Sequence, residues 1–379
     1  MNTRHDLPQT KENYTAWTIH QYSEDDFYTL DPETQLRYLC MLGHLAPSTH
    51  NTQPWRFFID SESYSIDVYV DRDFVLPASD VNGRQAIISI GCALENIVIA
   101  GERFGLNARV TPDAVSKEHV APYTGKNCTR LVHVSRIEFT KDPKQKENSK
   151  LFISIFTRKV MRAEYDPKRP IPQEILKNIQ EVPDGVKTKL HIVTDAMRKL
   201  GISEFQGQAD GFVINSTRFA KELGEWLLPN DTNSFRGMPG AGFGLHDDQA
   251  LRIHRGLSGE ELLQPEDGLK FATGGKIGIE KSPLIGMITI KKDDPIHWIM
   301  AGRVFERIFL TLENEGINVA IHAGIVEVTL VNRIFAATLG TMRRLAVLFR
   351  AGRLKDEKQK ERPHSPRLPI EKIILKIKP

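Results

Sequence analysis

Apolar positions along the chain change period several times, and each change marks an element. After Asp31, a helix N-cap residue, and Pro32, suited to a first helical position, Leu36, Leu39, Cys40 and Leu42 fall on one helical face. From Tyr64 to Val70 apolar and polar residues alternate with period two, which predicts a half-buried strand closed by Asp71-Arg72-Asp73. Past the Asn82-Gly83 turn, Ile87, Ile90, Leu94, Ile97 and Val98 return to helical spacing. They cover much of the circumference, so this helix is expected to be central, with Gly105 as its stop. Ala108 to Val110 and Leu131 to Val134 predict further strands. Thr140 to Ser149, polar and highly charged, reads as a linker.

In the second part, Phe152, Ile155 and Phe156 predict a helix, and Pro170-Ile171-Pro172 precedes another from Gln173 to Ile179. Leu190 to Val193 reads as a short strand and Gly211 to Leu228 as a helix. Pro229 to Gly275 is rich in glycine, proline and charge with little periodicity, the profile of a long loop or lid. Pro283 to Ile290 is a strand, Trp298 to Glu315 a helix ended by Gly316, and Leu345 to Leu348 a buried strand between Arg343, Arg344, Arg350 and Arg353. Here the chain repeats itself. Gly302, Glu306, Ile308, Gly316 and Asn318 each follow Gly91, Glu95, Ile97, Gly105 and Asn107 by 211 positions. Five matches with both glycines in step point to a duplicated unit.

Composition narrows the function classes. A net charge of +3 over 379 residues gives no electrostatic footprint for nucleic acid. Cys40, Cys92 and Cys128 are widely spaced and fit no metal-ligand pattern, so a reduced, cytoplasmic setting is expected. Met1 to Tyr28 is polar and lacks the apolar stretch of a signal peptide, and no apolar run suggests a membrane span. Gly237 to Gly244 lacks the spacing of a dinucleotide-binding turn and reads as a flexible loop. Gly274-Gly275-Lys276 has no glycine at the P-loop distance. His246-Asp247-Asp248 with His254 reads as a solvated turn rather than a metal site.

The most informative stretch is Ala46-Pro47-Ser48-Thr49-His50-Asn51-Thr52-Gln53-Pro54-Trp55. Pro47 and Pro54 bar a helix, while Ser48, Thr49, Asn51 and Gln53 offer donors and acceptors at short range. Chemically it serves either as a polar rim for a flat, amide-rich heterocycle or as a connector whose Trp55 plugs the core. Ala-Pro-Ser-x-x-Asn-x-Gln-Pro-Trp fixes seven residues in ten and resembles the flavin-ring loop of the nitroreductase-like flavoproteins, where it lines the isoalloxazine of FMN. Arg158-Lys159-x-x-Arg162 resembles the Arg-Arg-x-x-Arg run of the same families, with lysine in place of the second arginine. It is followed by Pro170-Ile-Pro-Gln-Glu174 as in those families, and Arg367-Leu-Pro resembles their closing segment.

The resemblance implies an α+β nitroreductase-like fold. Two pseudo-repeated units in one chain would mimic the usual homodimer, as in the tandem, Acg-type NAD(P)H nitroreductases. It divides the chain into an extension (1–30), a first unit with the flavin-ring loop (31–140) and a second with the phosphate-binding basic residues and a lid at 229–275 (150–379). Pro47, Ser48, Thr49, Asn51 and Gln53 would meet the ring, and Arg158, Lys159, Arg162 and Arg367 the phosphate. Arg236 and Phe243 would wall the pocket, and backbone at His322-Ala323-Gly324 would pass the ring. FMN would carry electrons from NAD(P)H to a nitroaromatic or quinone-like small molecule, with flavin N5 rather than a side chain as the reacting centre, and no metal. The alternative is an FMN-storing protein with little turnover, motivated by the lid.

Overall fold

The computed structural model describes residues 11–125, 129–142 and 149–379. The first part runs through α1 (Glu24–Thr29), α2 (Pro32–His44), β1 (Trp55–Asp60), β2 (Ser65–Asp71), α3 (Arg84–Arg103), β3 (Leu106–Pro112), α4 (Lys117–Val120) and β4 (Leu131–Lys141). The second opens with α5 (Ser149–Thr157), α6 (Gln173–Gln180), β5 (Thr188–Val193), α7 (Ala196–Asn215) and α8 (Thr217–Trp226). The short strands β6 (Leu227–Leu228) and β7 (Met238–Pro239) follow, then α9 (Asp247–Ser258) and α10 (Pro265–Lys281). It closes with β8 (Leu284–Ile290), α11 (Pro295–Asn314), β9 (Asn318–His322), α12 (Gly324–Glu327), α13 (Thr329–Thr338), β10 (Arg344–Gly352) and β11 (Ile374–Leu375).

The fold is α+β. One sheet has the order β11-β1-β2-β4-β3 and the other β5-β8-β10-β9. Setting β11 aside, the two share one antiparallel order, and each is bulged where its β2 or β8 strand meets β4 or β10. The helices preceding β3 and β9, α3 and α11, are both 20 residues long and start 211 positions apart. They cross at Gly91 and Gly302. A Cβ on Gly302 would strike the Ile88 carbonyl oxygen and one on Gly91 the Ile299 carbonyl oxygen, so only glycine allows this approach. Cys92 Sγ lies 3.4 Å from the Gly302 oxygen at the crossing.

The expected cap of α2 is present: Asp31 accepts from Thr34 N at 3.0 Å and Pro32 opens the helix. Other expectations change. β2 is buried throughout rather than half-buried, because ion pairs cover its polar side chains. Asp67 meets Arg136 at 2.8 Å and Lys378 at 2.7 Å, and Asp71 meets Arg56 at 2.6 Å and Arg130 at 2.8 Å. Thr140 and Lys141 end β4, Asp142 follows it and Ser149 begins α5; 143–148, the rest of the expected linker, lie outside the described residues, as does Cys128. The helix expected at Gly211 to Leu228 starts earlier, at the Asp195 cap, and breaks at Ser216 into α7 and α8. By length and composition α3 is apolar enough to cross a bilayer, but it is the buried core helix.

The largest correction is at 229–275, where α9 and most of α10 replace the expected loop. His246 and Gln249 form a capping box at α9, so the histidine-aspartate cluster is a helix start. The glycines of α10 read as breakers in sequence, yet they admit neighbouring charged side chains. A Cβ on Gly275 would strike Asp210 Oδ2, and one on Gly278 would lie 2.9 Å from Arg350 Nε. The Gly237 to Gly244 stretch is also ordered, with Met238, Pro239 and Gly240 buried in β7 and the turn after it.

Replacing Gly302 by alanine forces the two central helices apart. Overpacking of this kind costs about 1–3 kcal/mol, and urea denaturation of Gly302→Ala against the parent measures it.

Candidate functional site

The loop after α2 is strained. His50, Asn51 and Gln53 hold positive φ of 49°, 57° and 51°, a conformation that side-chain-bearing residues rarely adopt without support. That support comes from its own side chains. Asn51 Nδ2 donates to the carbonyls of Gly237 (3.0 Å) and Pro366 (2.9 Å), and its Oδ1 accepts from Arg367 Nη1 at 2.6 Å. Gln53 Nε2 donates to Phe235 O at 2.8 Å, and its Oε1 accepts from Leu368 N at 2.9 Å. Ser48 Oγ accepts from Gln53 N at 3.0 Å, and Thr49 Oγ1 donates to Gln85 Oε1 at 3.0 Å.

Arg367, only 3% exposed, clamps the loop from outside. Its Nε donates to His44 O, its Nη2 to Leu45 O and Ala46 O, and its Nη1 to Asn51 Oδ1 and Pro366 O, at 2.6–3.1 Å. All five guanidinium donors are thereby engaged. Burial and the charge of Arg158 push its pKa down to about 9. His44 completes the frame: Trp55 Nε1 donates to its Nδ1 at 2.9 Å, which fixes the proton on Nε2, and Nε2 donates to Leu368 O at 2.9 Å. Burial and the Arg367 charge hold His44 neutral, with its pKa lowered to about 3.

Between the loop and the α3–α11 crossing lies a cavity walled by Gln85, Ser89 and Cys92 of α3, Phe305 of α11 and Ala346 to Leu348 of β10, so both sheet units contribute. Of the nine residues expected at the cofactor, Pro47, Ser48, Thr49, Asn51, Arg158, Lys159, Arg162 and Arg367 line it. Gln53 does not; it is fully buried in the loop's own frame. Phe243, His322 and Ala323 also line the cavity, whereas Gly324 and Arg236 do not. Arg236 instead stacks on the Phe74 ring at 3.3 Å and donates to Thr52 O at 2.8 Å.

The basic residues differ in what they have left to offer. Arg158 is buried beside Glu306, 3.1 Å from its carboxylate, and over the Phe309 ring. Burial raises the Glu306 pKa to about 7. Lys159 Nζ donates to the carbonyls of Lys360 and Arg362 at 2.9 and 2.8 Å. The Arg162 guanidinium lies over the Phe243 ring at 4.5 Å and has no ion pair or hydrogen bond among the described residues; burial lowers its pKa to about 10. It is the cation in the cavity wall with the most free donors, and the motif alone could not distinguish it from its neighbours.

Residues in the N-terminal extension were not foreseen in the wall. Trp17 lines the cavity, stacks on His364 with ring centroids 3.9 Å apart and donates from Nε1 to Ser365 O at 2.9 Å. The one signal for it in sequence is a tryptophan within an otherwise polar segment.

The His44 shift has a sign that can be tested. Unfolded, the ring binds a proton near pH 6.5; folded, it stays neutral down to about pH 3. Stability is therefore lost as pH falls below 6.5, by up to roughly 1.4 kcal/mol per pH unit from this group. In His44→Gln, the fall in stability between pH 6.5 and 4, read from denaturant midpoints, should be shallower by about that slope.

No family model matches the chain. Among curated proteins it is 38% identical over 93 residues to "Putative NAD(P)H nitroreductase Rv3131" of Mycobacterium tuberculosis, covering 24% of this chain and 26% of the relative. It is 38% identical over 65 residues to "Putative NAD(P)H nitroreductase acg" of the same species, covering 17% and 19%. The matches thus span about a quarter or less of these relatives' length. Among solved structures, a "putative nitroreductase" from Anabaena variabilis is 10% identical over 89% of this chain and 91% of that one, with a TM-score of 0.49. The FMN-dependent nitroreductase NfnB from Mycobacterium smegmatis, solved with NADPH, is 14% identical over 57% and 92%, with a TM-score of 0.36. Neither structural likeness is close enough to bear on function. The sequence matches support a place for the chain in the nitroreductase-like superfamily.

Proposed function

We propose that the cavity binds FMN and that the chain passes electrons from NAD(P)H to a small nitroaromatic or quinone-like acceptor. The observation that carries this reading is the free guanidinium of Arg162 in the same buried cavity as the strained loop. Two further features fit a bound group. His50 Nδ1 is buried without a hydrogen-bond partner, and a Cβ on the cavity-lining Gly242 would meet nothing within 4 Å. FMN, when bound, supplies reversible two-electron chemistry, and the protein supplies binding and orientation.

In this reading Pro47, Ser48 and Thr49 face the ring. The Ser48 hydroxyl, already an acceptor from Gln53 N, keeps its own proton to donate. Arg162 takes the phosphate through its planar fork, with Lys159 adding charge. Asn51, Gln53 and Arg367 have their donors engaged within the protein and act by holding the loop; Arg158 is held by Glu306.

The domain reading belongs to the same proposal: an extension at 1–30 and units at 31–140 and 150–379, one chain standing in for a dimer. The shared strand order and the 211-residue offset of α3 and α11 support it. A cytoplasmic setting is also part of it, and the free, buried Cys40 and Cys92 are consistent with that.

The visible spectrum of the purified protein should show flavin, with FMN released on heating. Removing a charge-assisted phosphate contact costs about 1.5–3 kcal/mol, so Arg162→Ala should weaken FMN binding roughly 10- to 100-fold while leaving the denaturation midpoint nearly unchanged. Full flavin occupancy in that variant would overturn the phosphate assignment. Arg367→Ala should instead lower stability by about 3 kcal/mol or more, because it strands buried carbonyls. Anaerobic NADPH should bleach the flavin and a nitroaromatic restore it; flavin that NADPH leaves oxidised would favour storage.

A further inference from the structure

A second cavity, of about 400 Å³, adjoins the first and shares His50, Arg162, Met238, Phe243 and His322 with it. Its far walls come from α7 to α10 and are apolar, with Val213, Phe219, Leu223, Ile253, Leu257 and Leu263 among them. Seven carboxyl and basic side chains are set into the wall, and four of them are spoken for or stand outside the enclosure. Glu222 accepts from Ala78 N, Ser79 N and Ser79 Oγ at 2.6–2.9 Å, and Asp267 holds Arg252 through two contacts of 2.8 and 3.0 Å. Arg162 lies over Phe243 and, in the reading above, turns to the flavin phosphate. Lys270 is exposed and belongs to the rim.

Asp210, Glu327 and Arg350 remain, and they give the inner wall an acidic and a basic side. On the acidic side Asp210 Oδ1 accepts from Gln206 Nε2 at 2.6 Å, and Glu327 Oε1 accepts one long bond from Gln85 Nε2 at 3.4 Å. The second oxygen of each carboxyl has no hydrogen-bond partner among the described residues, and neither has Oε1 of Gln206, which is only 1% exposed and lies in the same wall. On the basic side Arg350 is 6% exposed, stacks over the Tyr165 ring at 4.4 Å and donates from Nη1 to Ala163 O at 3.0 Å, which leaves its buried Nε without a partner. His322 Nε2, between the two cavities, is unpaired as well. The two sides are close. Gly275 of α10 meets Asp210 and Gly278 meets Arg350, and three residues of helix are a rise of about 4.5 Å. Buried acceptors and donors left unpaired cost free energy that a ligand carrying both a cation and an anion can recover.

We propose that this second cavity binds an aliphatic α-amino acid: its ammonium donates to Asp210, Glu327 and Gln206 Oε1, its carboxylate accepts from Arg350, and its side chain lies along the apolar walls of α7 to α10. Both charged ends sit on one carbon, so charge-assisted bonds of about 2.7–2.9 Å from each end span the one-turn gap between acid and base. A ligand with a single charge leaves the opposite side of the enclosure unpaired. Burial pushes the Asp210 pKa up to about 7 and that of Glu327 to about 8, and an ammonium beside them draws both back toward the ionised form. This binding does not rest on the flavin reading, since Arg350 is assigned to it and Arg162 is not.

Equilibrium dialysis of the purified full chain against L-leucine tests the site, with 4-methylpentanoate, which lacks the ammonium, and 3-methylbutylamine, which lacks the carboxylate, in parallel. Leucine should bind once per chain and each analogue tenfold or more weakly. Asp210→Asn removes the charge and keeps an oxygen for the bond from Gln206 Nε2. In it leucine should lose tenfold or more while 4-methylpentanoate does not weaken. Gly268→Leu is a second route that spares the polar groups. A Cβ there would lie 3.7 Å from Ile214 and Leu263, an ordinary contact, so the new side chain fills cavity space within a helix that tolerates it. Leucine binding should vanish in that variant while the flavin spectrum stays unchanged. Absence of leucine binding, an analogue that binds as tightly as leucine, unchanged leucine affinity in Asp210→Asn, or survival of binding in Gly268→Leu would each overturn the proposal. A colourless protein that still binds leucine in this way would sink the flavin reading alone, and a flavin-bearing protein indifferent to leucine would sink this proposal alone.

Discussion

The close crossing of α3 and α11 sets how near the two sheets come to each other. Two backbone surfaces meet at Gly91 and Gly302 with no side chain between them, so the sheets on either side are brought within reach of one cavity. Charges along the same interface reinforce the register: Glu95 of α3 holds Arg303 of α11 at 2.8 Å and also engages Arg307. Dispersion gains from such contact are small per atom pair and large in sum, and they vanish quickly when a gap opens. Ser89 and Cys92, on the same stretch of α3, turn directly into the cavity wall.

The second organising device is local. A loop with three left-handed non-glycine residues is a poor structure on its own. It persists because Asn51, Gln53, Arg367 and His44 connect it to the turn just before β7, to the C-terminal tail and to the end of α2. The side chains that identify the loop in sequence are therefore mostly those that shape it. In the proposed reading the donors left for a ligand are those of Ser48 in the loop and, outside it, of Arg162.

Much of the fold was legible because it is written in local periods. Asp31 and Pro32 predicted the start of α2, and the isoleucines and leucines after Gly83 predicted the buried α3. The five matches at an offset of 211 anticipated two helices that align end to end. What was not legible depends on distant partners. α9 and α10 looked like loop because their glycines and charges are explained only by Asp210 and Arg350 lying against them. β2 looked half-exposed because the arginines that cover Asp67 and Asp71 come from other strands and the lysine from the tail. Likewise, sequence could name four basic residues at the cavity but not that Arg367 would have no donor left over.

The last strand, β11, runs parallel to β1, pairing Ile374 with Phe57 and Leu375 with Phe58, and the segment before it delivers Arg367 to a residue 316 positions upstream. During synthesis at roughly 5–20 residues per second, Asn51 thus waits on the order of 15–60 s for the arginine that braces it. Throughout that interval the nascent first half carries an unbraced loop and an uncovered edge at β1. Such an edge is open to mispairing, so the order in which the chain leaves the ribosome makes the tail the final step in building the site.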